Sequence, residues 1–493
     1  MTPSRTIRFG AALVAASLLA ACSAGSTSTE VGRVQGVGIV VGTSGAPASL
    51  DFTSTGGAAI PQALMSNVYE TLVRIDESGD PQPHLAQDWE LSDDRLTYTF
   101  KLRDDVTFSN GDPFDAHSAA FSINYVKEKW TNGLKAQMDP VESVETPDDH
   151  TLVVKLAEPS NRWLWSMGTL TGAMMTPAGV ATLATEPIGT GPYTLKRFTV
   201  GESVSFEARD DYWATPAHED AAIRYFSDSV ATVNALRAGD VDVVWALQAP
   251  ELLDSLEDEF AVNVGTTNGE VIFSMNNKAE PFDDPTVRQA VAYAVDRDAL
   301  NQVVWEGMAT NTGGAPIPPT DPWYTGEDFY PFDPMKAEEL LAGREPEITI
   351  SVPSLPYAQT AAELLFSQLR EVGFKVTLET LEFPAVWLGQ VMGQKDYQAS
   401  LIAHVEPRDL PALFGNPDYY LGYDSAAVRE EIALADESDQ TEHMTKAVEH
   451  IMADAAALTL ANTPNIVVTA PGITGVQPNV ITDGLPLAGV DRP

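Results

Sequence analysis

A chain of 493 residues with one cysteine, Cys22, has to hold itself together without disulfides. The same count removes thiol nucleophiles and thiolate metal centres from whatever follows residue 22. Stability must therefore come from buried apolar surface, and this length is enough for several independent cores, with a prior of about three domains. The apolar fraction of 44% and charged fraction of 20% are ordinary for a globular protein. The formal net charge of −41 is not, and it repels nucleic acid and anionic lipid headgroups. No nucleic-acid partner is expected.

The position of the cysteine adds a second constraint. Arg5 and Arg8 precede a short, small-residue apolar run from Ala11 to Ala21, and Leu19-Ala20-Ala21-Cys22 resembles a bacterial lipobox. The resemblance implies a signal peptide over 1–21, lipidation of Cys22, and a flexible tether over 22–36, rich in Ser, Thr and Gly. The run is too short to span a bilayer, and no other stretch of about 18 apolar residues follows. The expected location is outside the cell, lipid-anchored at the outer face of the cytoplasmic membrane, or periplasmic where an outer membrane exists.

Beyond the tether, strand and helix patterns interleave. Val37 to Val41 is a short apolar run for a buried strand, and its Gly36, Gly38 and Gly42 miss the GxGxxG spacing by one residue. Tyr98, Phe100 and Leu102 alternate with Thr97, Thr99 and Lys101, while Thr151 to Leu156, Val241 to Trp245 and Asn465 to Thr469 read as further strands. A helix starts at Pro285 behind Asp283-Asp284 and buries Val287, Ala290, Val291, Ala294 and Val295. Ala358, Ala362, Leu365, Leu369 and Val372 form another stripe, stopped by Gly373 before a strand at Phe374, Val376 and Leu378. A third stripe runs from Met444 through Val448 and Met452 to Ala455, its methionines read as core. The chain is mixed α/β.

Catalytic signatures are missing. There is no GxSxG elbow, no P-loop and no EF-hand loop, and His218-Glu219 lacks the second histidine of a zinc helix. Asp76 to Asp80 reads as a Gly-containing turn between strands rather than a calcium loop. Seven scattered histidines make no metal site by spacing. Acids are so numerous that their spacing alone says nothing about a carboxylate pair, so an enzyme is unsupported and no catalytic residue, cofactor or metal is assigned.

Ordered blocks carry more information. Tyr69-Glu70-Thr71-Leu72-Val73, Pro83-His84-Leu85-Ala86 with Trp89, Tyr98 to Arg103, and Phe108-Ser109-Asn110-Gly111-Asp112-Pro113 come first. Ile188-Gly189-Thr190-Gly191-Pro192-Tyr193, Leu236 to Asp242, Met275-Asn276-Asn277 and Pro281 to Ala290 follow. Together they resemble the peptide/nickel family of extracellular solute-binding proteins, which serve ATP-binding-cassette importers. The resemblance implies a type II periplasmic-binding-protein-like fold of two lobes closing on a ligand. Lobe I would combine 37–60, 188–272 and 465–493, with 61–187 as its inserted subdomain; lobe II would be 273–464. Hinge strands would cross near Phe273-Ser274-Met275 and Pro464-Asn465. The implied partners are a small solute, most often a di- or oligopeptide, and a permease with its ATPase, the binding protein itself being a monomer. Gly189, Gly191, Gly239 and Asp283-Asp284-Pro285 are read as fold-specifying turns and caps.

Ligand contacts are expected where strand ends meet the cleft. In lobe I these are Asp51 and Thr53 after the first strand, Trp245, and Asn276. In lobe II they are Trp387, Tyr397 and the loop from His404 to Asp409, where peptide-binding relatives place an aspartate that pairs with the ligand's amino terminus. Asp409 is the first candidate and Glu406 the second. His404 and Arg408 depart from the usual aromatic and Asp-Pro-Asp run. Arg408 either meets a ligand carboxylate or neutralises Asp409. Nonpeptide solutes such as a nickel chelate, haem, an opine or an oligosaccharide stay open within the family, although histidine scarcity argues against direct nickel ligation. An exported hydrolase and a lipoprotein with a protein partner are the readings from other classes.

Overall fold

The structure, a computed structural model, describes residues 32–256 and 258–492. The signal peptide, Cys22 and most of the tether lie outside the described residues. One sheet of ten strands forms the backbone of the molecule. From one edge its strands are Lys375–Leu381, Glu347–Pro353, Ala399–His404, Ala261–Met275, Ala457–Thr469, Val243–Val244, Ile39–Thr43, Ala221–Tyr225, Ser203–Ala208 and Tyr193–Thr199. Strands with β-branched, buried runs fill its centre, as Ile39–Thr43 does with every residue buried.

Two strands in the middle belong to two separate cores. Ala261–Met275 and Ala457–Thr469 run antiparallel, and their ladder slips between Thr266 and Glu270. Before the slip, Ala261–Thr266 pairs with Pro464–Thr469; after it, Glu270–Ser274 pairs with Ala457–Asn462 and, on its other side, with Ser400–His404. Asn462 fills the break, donating from its amide to the carbonyls of Thr267 and Gly269 at 2.8 and 3.1 Å. One apolar core extends from Val271 to Ala461, and another gathers residues from Ile39 to Tyr225 together with Val467 to Val490. Phe273 to Met275, expected at the crossing, lie well inside the core that begins at Val271.

Local patterns explain the remaining elements. In a four-stranded antiparallel sheet (Ala86–Leu91, Thr97–Leu102, Thr151–Leu156, Val141–Asp148), Tyr98, Phe100 and Leu102 point inward. The helix Ala116–Lys129 packs against it, held at its start by a capping box between Asp115 and Ser118. The helix Pro285–Ala294 is capped by Asp284 and buries the expected face, but its chain leaves helical geometry at Val295. Glu347–Pro353, the helix Pro356–Glu371 and Lys375–Leu381 form a parallel β-α-β unit, with Gly373 at φ 108° closing the helix. Met444 and Met452 of the helix Gln440–Ala453 are core side chains.

Several expectations need correction. The strand anticipated at Asn465 begins eight residues earlier, at Ala457, because Asn462-Thr463-Pro464 reads locally as a breaker while the facing strand overrides it. Val241 to Trp245 contributes only Val243–Val244 to the sheet. Gly189 and Gly191 serve close approach rather than turn geometry: a Cβ on either would sit 1.9 and 2.5 Å from the carbonyl oxygens of Val68 and Asn67. Gly239, at φ 75°, does terminate the helix Ser229–Ala238 as a left-handed cap. Among the described residues no helix is long and apolar enough to cross a membrane.

Candidate functional site

A cavity of about 690 Å³ lies between the two cores. One wall comes from the helix Asn161–Ser166 and its neighbours, bringing Arg162, Trp163 and Trp165. Opposite stand Trp387, Tyr419 and the segment from Ile402 to Asp409 that leaves the strand Ala399–His404. Most of the surface is apolar, with a few polar groups on each wall, which suits an organic solute held by a small number of directed contacts.

The walls touch at two places. Asp436, at the end of the helix Ala426–Glu437, accepts from the Arg162 backbone N–H at 3.1 Å and from its guanidinium at 2.5 Å. Asn161 donates beside it to the carbonyls of Ala435 and Ser438. At the second place Arg408 reaches across to donate to the Gly79 carbonyl at 2.6 Å. Its guanidinium is sandwiched by Trp165 and Trp323, with ring centroids 4.6 and 4.9 Å away.

Arg408 does not neutralise Asp409. Its carboxylate neighbour is Asp321, 3.8 Å from Nε, and burial holds its own pKa down to about 10. Burial lifts the Asp321 carboxyl to about 7 although Arg408 pulls it back. Asp409 makes no side-chain hydrogen bond among the described residues, and burial, then the charges of Glu406 and Asp321, hold its pKa well above the carboxylate range. Glu270, two per cent exposed and paired in register with His404, is raised in the same way by burial and by Asp409 and Asp321. Its Oε1 has no hydrogen-bond partner among the described residues. This side of the cavity is short of positive charge.

His404 is fixed from behind. Its Nε2 meets the Tyr420 hydroxyl at 2.9 Å, which in turn shares a 2.6 Å hydrogen bond with Ser274. Burial drives its pKa down to about 4, so the ring is neutral at physiological pH. Nδ1 points at Asp409, whose Oδ2 is 3.8 Å away, too far for a hydrogen bond.

The structure brings together four of the expected site residues, Trp387, His404, Glu406 and Asp409, on one cavity wall. Asp51, Thr53, Trp245, Asn276 and Tyr397 do not line it. Asp51 is spent on its own turn, accepting from the Thr53 backbone and hydroxyl and from Ser54. Trp245 is four per cent exposed in the core built on Ile39. The Asn276 amide donates to the carbonyls of Lys395 and Tyr397, and the Tyr397 hydroxyl to that of Tyr420. Missed altogether were Arg162, Trp163 and Trp165, whose Asn-Arg-Trp-Leu-Trp run carried an aromatic signal without a period.

A cavity between two cores that share a pair of strands is the architecture expected of a solute-binding protein. Comparison with known proteins agrees. Residues 80–420 match the family described as bacterial extracellular solute-binding proteins, family 5, middle region. A putative ABC transporter peptide-binding protein of Brucella ovis is 29% identical over 77% of this chain and 74% of its own. Heme-binding protein A of Haemophilus influenzae is 30% identical over 65% of this chain and 66% of its own. Among solved structures, the periplasmic binding protein DppA of Helicobacter pylori in complex with the peptide STSA superposes with a TM-score of 0.75, at 23% identity, over 92% of this chain and 97% of that one. The chain belongs to family 5 of the bacterial extracellular solute-binding proteins, and its fold is that of the type II periplasmic binding proteins.

Proposed function

We propose that this protein captures a di- or oligopeptide in the cavity between its cores and delivers it to the permease and ATPase of an ATP-binding-cassette importer, with no chemical step of its own. The observation that carries the reading is Asp409, a half-buried carboxyl facing the cavity without a cationic partner among the described residues. A protonated amino terminus supplies the missing charge, and the desolvated pair holds the solute in one orientation. The apolar walls, with Trp387 and Trp165, accept varied side chains. The peptide-binding relatives support the same class.

In this reading lobe I comprises 37–60, 188–272 and 465–493 with the inserted subdomain 61–187, and lobe II is 273–464. The hinge falls at the ladder slip beside Thr266–Glu270 and Asn462–Pro464, where side-chain hydrogen bonds of Thr267, Asn462 and Thr463 replace the regular backbone ladder. Lipid on Cys22 keeps a monomeric receptor near its permease at the membrane.

Native and denaturing mass spectrometry of the purified protein tests the solute class. A tight ligand survives purification, since saturation at a hundredfold the dissociation constant stabilises the complex by about 2.7 kcal/mol. A ladder of short peptides is the expected result. One nonpeptide mass, such as a porphyrin, overturns the peptide assignment and leaves the binding role intact.

A further inference from the structure

We infer that the cavity selects cationic peptides: the solute's amino terminus lies between Asp409 and His404 Nδ1, and the basic side chain of its first residue takes Glu406. Two guanidiniums line the cavity, and both are matched. Arg162 binds Asp436, and Arg408 stands against Asp321 and the Gly79 carbonyl. No lysine lines it among the described residues. The lining carboxylates are Glu406 and Asp409, and neither meets a lysine or arginine at ion-pair distance among the described residues.

More acid stands behind them. Burial, then the charges of Asp409 and Asp321, raise the Glu270 carboxyl. Burial, with the charge of Glu406 adding to it, raises Asp483, which accepts only from the Leu170 N–H among the described residues. A short peptide with neutral side chains brings one ammonium and one carboxylate. It leaves the imbalance as it was and adds an anion that neither arginine is free to receive. A lysine or arginine side chain supplies the second positive charge.

The geometry of the floor fits two neighbouring cationic groups. His404, Glu406 and Asp409 offer acceptor atoms that all lie within 4.8 Å of one another. His404 is eight per cent exposed, and its Nδ1, 3.8 Å from Asp409 Oδ2, makes no hydrogen bond among the described residues. With the ring proton on Nε2 and donated to the Tyr420 hydroxyl, Nδ1 is an acceptor. An ammonium entering there is met by Nδ1 and Asp409, and it balances only one of the two carboxylates. Glu406 is exposed on the cavity wall, and a solute covering it strips its water, so it needs a cation of its own. Tyr419 stands beside both acids, whose charges add to burial in pushing its hydroxyl up to about 12, and an aromatic ring in that place attracts a cation. The apolar wall at Trp387 and Leu388 takes the aliphatic stem of the basic side chain. This selection rests on the cavity being the solute's.

The test is calorimetric titration of the full chain with the tripeptides Lys-Ala-Ala, norleucyl-Ala-Ala and Glu-Ala-Ala, the second keeping the lysine stem without its charge. The lysyl peptide should bind about 10–100-fold more tightly than the norleucyl one, and the glutamyl peptide about tenfold more weakly than the norleucyl one or worse. Glu406→Gln, on the exposed loop, should collapse the lysyl-to-norleucyl ratio to under about threefold, with the melting curve confirming that the variant is folded. Equal affinity for the lysyl and norleucyl peptides overturns the selection and leaves peptide capture standing. A ratio indifferent to Glu406→Gln overturns it too. If no tripeptide binds, titration with cadaverine and with pentylamine decides: a diamine bound well above the monoamine keeps the selection for two cations and removes the peptide reading, whereas equal or absent binding of the two removes both.

Discussion

The Arg408 guanidinium hydrogen-bonds to the Gly79 carbonyl at 2.6 Å, joining a loop of one core to a turn of the other across 329 residues of sequence. Gly79 is suited to the contact twice over. Its φ of 80° is left-handed, and a Cβ there would stand 2.9 Å from the Thr320 carbonyl and 3.1 Å from Arg408 itself. Trp165 donates to the same carbonyl at 3.1 Å and stacks on the guanidinium, so one oxygen organises both walls.

Arg408→Ala should therefore favour separated walls. It removes a charge-assisted hydrogen bond worth about 1.5–3 kcal/mol and two cation–π contacts worth about 0.5–2 kcal/mol each. Small-angle scattering without ligand should give a larger radius of gyration than the unmodified chain. An unchanged radius would show that the contact does not hold the walls together.

Asp409→Asn should weaken an unblocked short peptide by about 2–5 kcal/mol, a roughly thirty- to several-thousandfold loss, while leaving the melting temperature intact. The variant keeps the shape and discards a charge that burial already disfavours. Since an ammonium pairs with the ionised carboxylate, affinity should rise with pH as Asp409 loses its proton, above the ordinary carboxylate range. Calorimetry at several pH values reads both effects, and equal affinity for an N-acetylated peptide would refute the pairing.

Asp321 should make the fold less stable as pH rises. Its carboxyl goes from the ordinary 3.8 to about 7 in the folded protein, so the neutral form is favoured there. That contribution is complete below the unfolded value and is lost as pH climbs through about 7, on the order of 2–3 kcal/mol between pH 5 and 8. Denaturant unfolding at both pH values should show a smaller fall for Asp321→Asn. Parallel falls would mean that the group titrates normally.

Asn276→Ala should cost about 1–3 kcal/mol of stability and leave solute affinity unchanged, because its amide holds the Lys395 and Tyr397 carbonyls and its Oδ1 accepts from the Lys278 N–H. Urea unfolding with a peptide titration checks this. A hundredfold loss of affinity at constant stability would return Asn276 to the binding site.

Asn276 also shows where sequence reading ran short. A polar residue at a strand end near the expected crossing has the attributes of a ligand contact, but so has one that satisfies buried backbone carbonyls. Asp51 and Thr53, which do not line the cavity, carry the same ambiguity: an Asx turn and a binding residue share a composition. The loop from His404 to Asp409, expected at the cleft by resemblance, lines the cavity, whereas Trp165 and Gly79 had no period or spacing that tied them to a residue more than 200 positions away.

What the sequence determined by itself is what depends on neighbours along the chain. The alternation at Tyr98, Phe100 and Leu102, the capped helix at Pro285 and the helix-to-strand unit around Gly373 all follow from side-chain spacing and backbone preference. The family blocks, read in order, gave the fold class. Only the tertiary structure decided that Ala457–Thr469 continues through Pro464, that Arg408 serves Asp321 and Gly79 instead of Asp409, and that Glu270 Oε1 is buried without a hydrogen-bond partner among the described residues. Those outcomes depend on which distant groups burial brings together and which charges it leaves uncompensated, and residue spacing carries no record of either.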